Sequence, residues 1–216
     1  LAVGAHPDDV EFGAGGTLAK WAIAGCTVHH LVCTDGSKGT WDVDADLAAL
    51  VERREAEQRA AAERLSSQRA GEVRFLRRVD GELEPDVDAR IEIVRAIREL
   101  RPDVVLGHDP WKRYRLHPDH RAAGLLVCDA IVAARDPHFF TDVGPAHHRP
   151  SHLLLFEADA PDHVEDVSAT IDRKLDALHA HESQFESTMH AADHSDLGAF
   201  DQRIRDRLAG LGEPHG

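Results

Sequence analysis

Short apolar, β-branched runs alternate along the chain with longer segments whose apolar positions recur at helical spacing. Residues 1–5 read as a strand, and a Gly-rich turn leads from it into an apolar helix through about residue 23. Residues 27–34 (TVHHLVCT) read as a second strand, followed by a polar loop over 35–44. The pattern then predicts a helix over 47–65, a short strand over 73–76, an amphipathic helix over 87–100 that stops before Pro102, and an apolar strand over 104–107. A loop rich in aromatic and basic residues (HDPWKRYRL) leads to a helix over about 118–134, then to a fifth strand over 153–156 and a helix over 167–181. Beyond Ser187 the pattern fades into a His- and Asp-bearing tail with one further helix near 199–211. Strands alternating with helices predict a mostly parallel, Rossmann-like sheet covered on both faces, a three-layer α/β/α fold, here as a single domain over 1–216. In such sheets the site lies beyond the carboxyl ends of the strands, where strand order reverses. For the order 3-2-1-4-5 the reversal falls between the first and fourth strands, so the segments after those two strands matter most.

Composition narrows the classes. Of 216 residues, 42% are hydrophobic and 30% charged, which suits a globular chain with a sizeable core. The formal net charge of −14 repels phosphate backbones and anionic lipid, so neither nucleic acid nor a membrane surface is an expected partner. No apolar run approaches the length of about 18 residues that suggests a transmembrane helix. The first residue is Leu1, and it opens directly on a strand with no visible signal peptide. Cys26, Cys33 and Cys128 are scattered, with the first two at odd spacing on or beside one strand; this fits a reducing, cytoplasmic setting better than a disulfide scaffold. A homo-oligomer is left open.

Two histidine–aspartate motifs stand at the two positions that topology singles out. After the first strand comes His6-Pro7-Asp8-Asp9-Val10-Glu11; after the fourth comes His117-Pro118-Asp119-His120. His6, Asp9 and His120 make a two-nitrogen, one-oxygen set, and three protein ligands with an open position is the usual form of a catalytic zinc site. Asp8, beside such a site without being a ligand, is placed to take a proton from water. A purely structural reading stands beside this one. Asp8 to Glu11 has the spacing of a helix N-cap with its third-position partner, and His117 to His120 fits a solvated first turn with an early Pro. The coincidence of both motifs at adjacent strand ends favours the metal reading.

The segment AHPDDVEFGAGGTLAK, together with the later HPDH, resembles the LmbE-like or PIG-L family of metal-dependent N-deacetylases. Asp35-Gly36, Arg54 to Glu57, Asp80-Gly81 and His181-Glu182-Ser183-Gln184 fall where that family has similar residues, and HPDDVE with its glycines looks nearest to the bacillithiol-type branch. The resemblance implies a hydrolase that removes acetyl from an N-acetylglucosamine-containing small molecule. It implies metal ligands His6, Asp9 and His120, Asp8 as general base, and His117 as the group that stabilises the oxyanion and protonates the leaving amine. The metal is expected to be Zn²⁺, with Fe²⁺ suited to the same donors. An amidase of a mycothiol-like conjugate and a non-catalytic metal- or sugar-binding protein are the alternative readings; a base at Asp8 argues against the last, since binding alone needs none. Arg115 stands where some members carry a tyrosine, so no oxyanion tyrosine is assigned.

Weaker signals complete the expectation. Gly13, Gly15 and Gly16 lack the dinucleotide-binding order and read as close helix packing. Arg54 is a candidate for binding a substrate hydroxyl or phosphate, Tyr114 and its loop for stacking on a sugar, and His181 for the leaving-group side. Asp119 is expected to orient His117 or cap its helix. His147, His148, His190, His194 and His215 read as surface residues.

Overall fold

The computed structural model describes residues 1–66 and 70–215. Five strands, β1 (Ala2–Gly4), β2 (Val28–Thr34), β3 (Ala70–Arg78), β4 (Val104–His108) and β5 (His152–Phe156), form one sheet. Every pairing is parallel, in the order β3-β2-β1-β4-β5. The helices are α1 (Asp9–Ile23), α2 (Leu47–Leu65), α3 (Val87–Leu100), α4 (Pro118–Arg135), α5 (Ile171–Leu178) and α6 (Gly198–Gly212). Strand order reverses between β1 and β4, as the Rossmann-like reading requires.

Alternation along the strands builds the three layers. Val3, Leu31 and Val105 point into a core shared with Ala89, Ile93 and Ile97 of α3 and with Ala123, Leu126 and Ala130 of α4. Ala2, Val28 and Leu106 of the same strands point to the opposite face, against Val10 and Leu18 of α1, Leu65 of α2 and Ala177 of α5. Ile93 and Leu126 are 0% exposed, and a side chain so buried contributes about 1.5–3 kcal/mol. A third cluster, Leu175, Phe185, Met189, Phe200 and Ile204, packs α6 and the preceding turns onto α5.

Local chemistry fixes the helix ends. Asp46 accepts the N–H groups of Ala48 and Ala49 and starts α2; Asp86 accepts that of Ala89 and starts α3. Two elements differ from the sequence pattern. β3 is longer, because its parallel pairing with β2 runs from Ala70 opposite Val28 to Arg78 opposite Thr34, with the charges of Arg74 and Arg78 met by Glu99 and Glu92. α5 starts at Ile171 because the Thr170 hydroxyl donates to Gly16 O at 2.8 Å and Val167 lies against Gly16, which holds the preceding residues in a turn. Glycine packing has the expected purpose: a Cβ at Gly13 would overlap the Phe156 ring of β5. Among the described residues Cys26, Cys33 and Cys128 are free, and no helix is long and apolar enough to cross a membrane. His147, His190, His194 and His215 are exposed, whereas His148 is half-buried with its ring nitrogen 2.8 Å from Pro102 O.

Candidate metal centre

All five strand ends contribute to one crevice of about 460 Å³. His6, Asp8 and Asp9 follow β1; Lys38 and Gly39 follow β2; Asp80 and Gly81 follow β3; His117 and His120 follow β4, which His108 closes; Glu157 follows Phe156 of β5. Phe12, Gly13 and Phe156 make an apolar wall, and Lys38, Arg54, Gln184 and Thr188 a polar one.

His6 and Asp9 are brought together by the turn into α1. Asp9 reaches back and its Oδ2 accepts the His6 N–H at 2.7 Å. Asp8 occupies the N-cap position, yet among the described residues its side chain makes no cap hydrogen bond. Its φ of 100° is left-handed, a conformation that costs a non-glycine residue about 1–3 kcal/mol and clusters at functional sites. Asp8 N–H donates to Gln58 Oε1 at 2.9 Å, and the amide of Gln58 donates to Glu11 at 2.8 Å, which anchors the turn from behind. Glu11 is therefore engaged by Gln58, not by the cap its spacing suggested.

His120, on the first turn of α4, completes the trio. His6 Nδ1 lies 3.3 Å from Asp9 Oδ2, His120 Nε2 lies 3.2 Å from Asp9 Oδ1, and the two ring nitrogens are 3.2 Å apart. Two atoms each about 2.0–2.1 Å from a tetrahedral ion are about 3.3–3.4 Å apart, so each of these contacts has the spacing of a zinc-type site, with the two histidines facing different oxygens of Asp9. Ligand-type atoms also gather as His6, His117 and His120; as Asp9, His108 and His120; and as His6, Asp80 and Asp119. His6 and His120 are each shared by two of these groups, and Asp9 belongs to the second.

The surroundings hold positive charge. His6 Nε2 is 3.1 Å from both Asp80 Oδ1 and Asp119 Oδ2. Burial opposes protonation of His6, but the bonds to Asp119, Asp80 and Asp9 outweigh it and push the imidazole up to about 12. Burial also acts against the Asp9 carboxylate, and His108 and His120 nevertheless hold it well below its ordinary range. Asp119 orients His6, not His117, and accepts the backbone N–H groups of Gly81 at 2.6 Å and Leu83 at 3.2 Å; this corrects the expected role, because its short side chain turns from the helix toward the β3 end.

Asp8 lies beside the trio. Burial raises its carboxyl to about 6, with Arg54 pulling it down and Asp9 pushing it up. Arg54 is 3% exposed; it donates to Gly36 O at 2.8 Å and Pro7 O at 2.7 Å, and its Nη2 is 3.5 Å from Asp8 Oδ2. It lines the crevice floor, largely committed to backbone. His117, exposed at the N-cap of α4, sets its ring 4.6 Å from that of His6 and 4.8 Å from that of His120. Burial, then His6 and His120, lower its pKa.

Two expected substrate residues are not brought into the crevice. Tyr114 is 81% exposed, and His181 is 0% exposed; neither is among the described side chains that line it. His181 packs behind Asp8, its Nε2 3.4 Å from Glu11 Oε2, so it has no surface to offer a ligand. Sequence reasoning missed His108, Phe156, Glu157 and Arg207. The available signal was positional: His108 is a polar residue closing an apolar strand at the switch point.

The sheet order and the cluster of histidine and carboxylate at the switch point define a Rossmann-like protein with a candidate metal-hydrolase centre. The chain belongs to the PIG-L family, described as GlcNAc-PI de-N-acetylase, whose profile matches residues 1–131. It is 37% identical over 188 residues to a diacetylchitobiose deacetylase of Thermococcus kodakarensis, covering 86% of this chain and 69% of that one. It is 31% identical over 239 residues to a 1D-myo-inositol 2-acetamido-2-deoxy-alpha-D-glucopyranoside deacetylase of Rhodococcus opacus, covering 85% and 80%. Among solved structures, the N,N'-diacetylchitobiose deacetylase of Pyrococcus horikoshii superposes with a TM-score of 0.87 at 28% identity, covering 100% of this chain and 78% of that one.

Proposed function

We propose that this protein is a metal-dependent N-deacetylase that hydrolyses the acetamide of an N-acetylglucosamine-containing small molecule, with residues 1–216 as one deacetylase domain in a cytoplasmic setting. The observation that carries the proposal is the convergence of His6 Nδ1, the Asp9 carboxylate and His120 Nε2 in an open crevice that Asp8 also lines. The family and the amino-sugar substrates for which its relatives are named support the substrate class.

His6, Asp9 and His120 would hold Zn²⁺, and Fe²⁺ suits the same donors. Such an ion, when bound, polarises the acetamide carbonyl and acidifies water. Asp8 takes the water proton, and its value near 6 keeps it in the basic form at neutral pH without making it a weak base. Arg54 keeps Asp8 aimed at the crevice. His117 donates an N–H toward the developing oxyanion; once protonated, its lowered pKa lets it release that proton to the leaving amine as the carbon–nitrogen bond breaks. Acetic acid and a free amine result, and Asp8 and His117 then exchange their protons with solvent. The apolar wall of Phe12 and Phe156 suits a sugar face in place of the outward-facing Tyr114.

The test is free-amine release from a panel of N-acetylglucosamine compounds, with chelator and with zinc restored. Release should stop with chelator and return with zinc. Asp8→Asn should retain the metal and lose about 10²–10⁴-fold in rate, whereas His120→Ala should lose both. A fully active Asp8→Asn protein would refute the mechanism.

A further inference from the structure

Beside the trio, a line of three buried or half-buried side chains meets Asp9. His108 is 2% exposed and its Nε2 is 3.2 Å from Asp9 Oδ2. Its Nδ1 is 3.4 Å from Nη1 of Arg115, and that same Nη1 is 2.8 Å from Glu157 Oε2. Arg115 is 7% exposed, although it sits in a loop whose neighbours Tyr114 and Leu116 face solvent. Its Nε and Nη2 have no hydrogen-bond partner among the described residues. Unpaired N–H groups on a buried cation cost stability, so ion pairing with Glu157 is a poor account of why the guanidinium is inside.

The donor and acceptor rules give a better one. A guanidinium only donates and a carboxylate only accepts. With Arg115 on one side of the imidazole and Asp9 on the other, His108 must accept at Nδ1 and carry its proton on Nε2. Ala5 N–H also faces Nε2, at 3.4 Å, and could use it only in the opposite tautomer, which would set a lone pair against the Asp9 carboxylate. In the tautomer Arg115 imposes, Asp9 Oδ2 receives two donors, the His6 N–H and His108 Nε2–H. Oδ2 also lies 3.3 Å from His6 Nδ1, but with both donors upon it the oxygen that takes neither of them is Oδ1, 3.2 Å from His120 Nε2. The His108 ring also stacks on His120, with centroids 4.4 Å apart and an interplanar angle of 11°. One residue thus steadies two members of the trio.

We propose that Arg115, held by Glu157, is a positioning residue that locks the His108 tautomer and so makes Asp9 a one-oxygen ligand of the centre. The inference rests on the reading of His6, Asp9 and His120 as metal ligands and extends it to the shell behind them, where outer partners tune affinity.

The test measures zinc dissociation constants by competition with a chromogenic chelator for the parent, Arg115→Met, Arg115→Lys and His108→Phe, the last keeping the stack on His120. Arg115→Met and His108→Phe should weaken zinc binding about 10- to 100-fold, and Arg115→Lys, which restores a donor, should recover most of it. The visible bands of the cobalt-loaded protein add a readout that general loosening would not move: they should weaken in Arg115→Met as Asp9 becomes free to bind through both oxygens and coordination number rises. Parent-like zinc affinity and an unchanged cobalt spectrum in Arg115→Met would overturn the proposal. If Arg115→Met does not fold, parent-like values in His108→Phe would overturn it equally. Asp9→Asn separates the two readings. A parent that binds no zinc, or an Asp9→Asn protein that binds it unchanged, refutes the metal centre itself. Loss in Asp9→Asn without loss in Arg115→Met refutes only the relay.

Discussion

His6 Nε2 lies 3.1 Å from Asp119 Oδ2, and that carboxylate also receives the backbone N–H groups of Gly81 and Leu83. The contact ties the turn after β1 to the first turn of α4 and to the loop after β3. It fixes His6 with Nε2–H donated backward and Nδ1 facing the trio, the carboxylate–imidazole arrangement common at metal sites. Asp119→Ala is expected to weaken zinc binding about 10- to 100-fold in chelator competition. It should also lower folding stability by about 1–3 kcal/mol in urea unfolding, because the two N–H groups lose their acceptor.

Asp8 sets the acid side of the pH profile. Burial raises its carboxyl to about 6, and a general base works only when deprotonated. Activity should therefore be full above that value and fall as pH drops through it, by about tenfold per unit once the acid form dominates. A bound cation draws the value lower, so the limb lies at or below about 6. The check is kcat/KM from about pH 4.5 to 8 with zinc in excess. A limb centred above about pH 7 would contradict the assignment.

Lys174 gives a stability signal independent of catalysis. Its ammonium donates to Glu11 O at 2.7 Å and Phe12 O at 2.6 Å inside the helix layer, and burial lowers its pKa from 10.5 to about 8, with Glu11 resisting the shift. Between those values the unfolded chain binds more protons than the folded one, so this group's contribution to stability rises with pH. The full span is on the order of 3 kcal/mol at 1.36 kcal/mol per unit. Parent and Lys174→Met should be unfolded in urea at about pH 7.5 and about pH 10; the parent should gain relative to the variant at the higher pH. A gap that is constant or moves the other way would show that Lys174 is not charged against its surroundings.

The layers were legible in the sequence because their determinants are local. Asp46 and Asp86 cap α2 and α3 at the first residues of clear helical patterns, and Arg101 before Pro102 ends the second. The HPDD and HPDH motifs were legible because topology alone directs both to one crevice. What escaped depends on contacts across strand ends. His108 finds Asp9 from β4, and no spacing announces that pairing. Tyr114 was expected at the ligand and Arg115 was not given a place; the left-handed φ of 59° at Tyr114 turns the loop so that its neighbour goes inside. His181 was set near the substrate by family position, yet the buried carboxylate of Glu11, in the first turn of α1, draws it into the interior.

Gly39 offers a test of the Arg54 cradle that leaves every proposed ligand untouched. The guanidinium packs against Gly36 and Gly39 while donating to Gly36 O and Pro7 O, and a Cβ at Gly39 would overlap its Nη1. Gly39→Ala should displace Arg54 from Asp8 and lower kcat/KM roughly 10- to 100-fold, the cost of misplacing a catalytic group by about an ångström. Gly198→Ala, with nothing within 4 Å of the added carbon, is the control and should leave activity unchanged. Combining Gly39→Ala with Arg54→Lys should be no worse than the weaker single variant, because both act through one contact and such effects do not add. Fully additive losses would mean that Gly39 acts elsewhere in the crevice and that Arg54 does not depend on it.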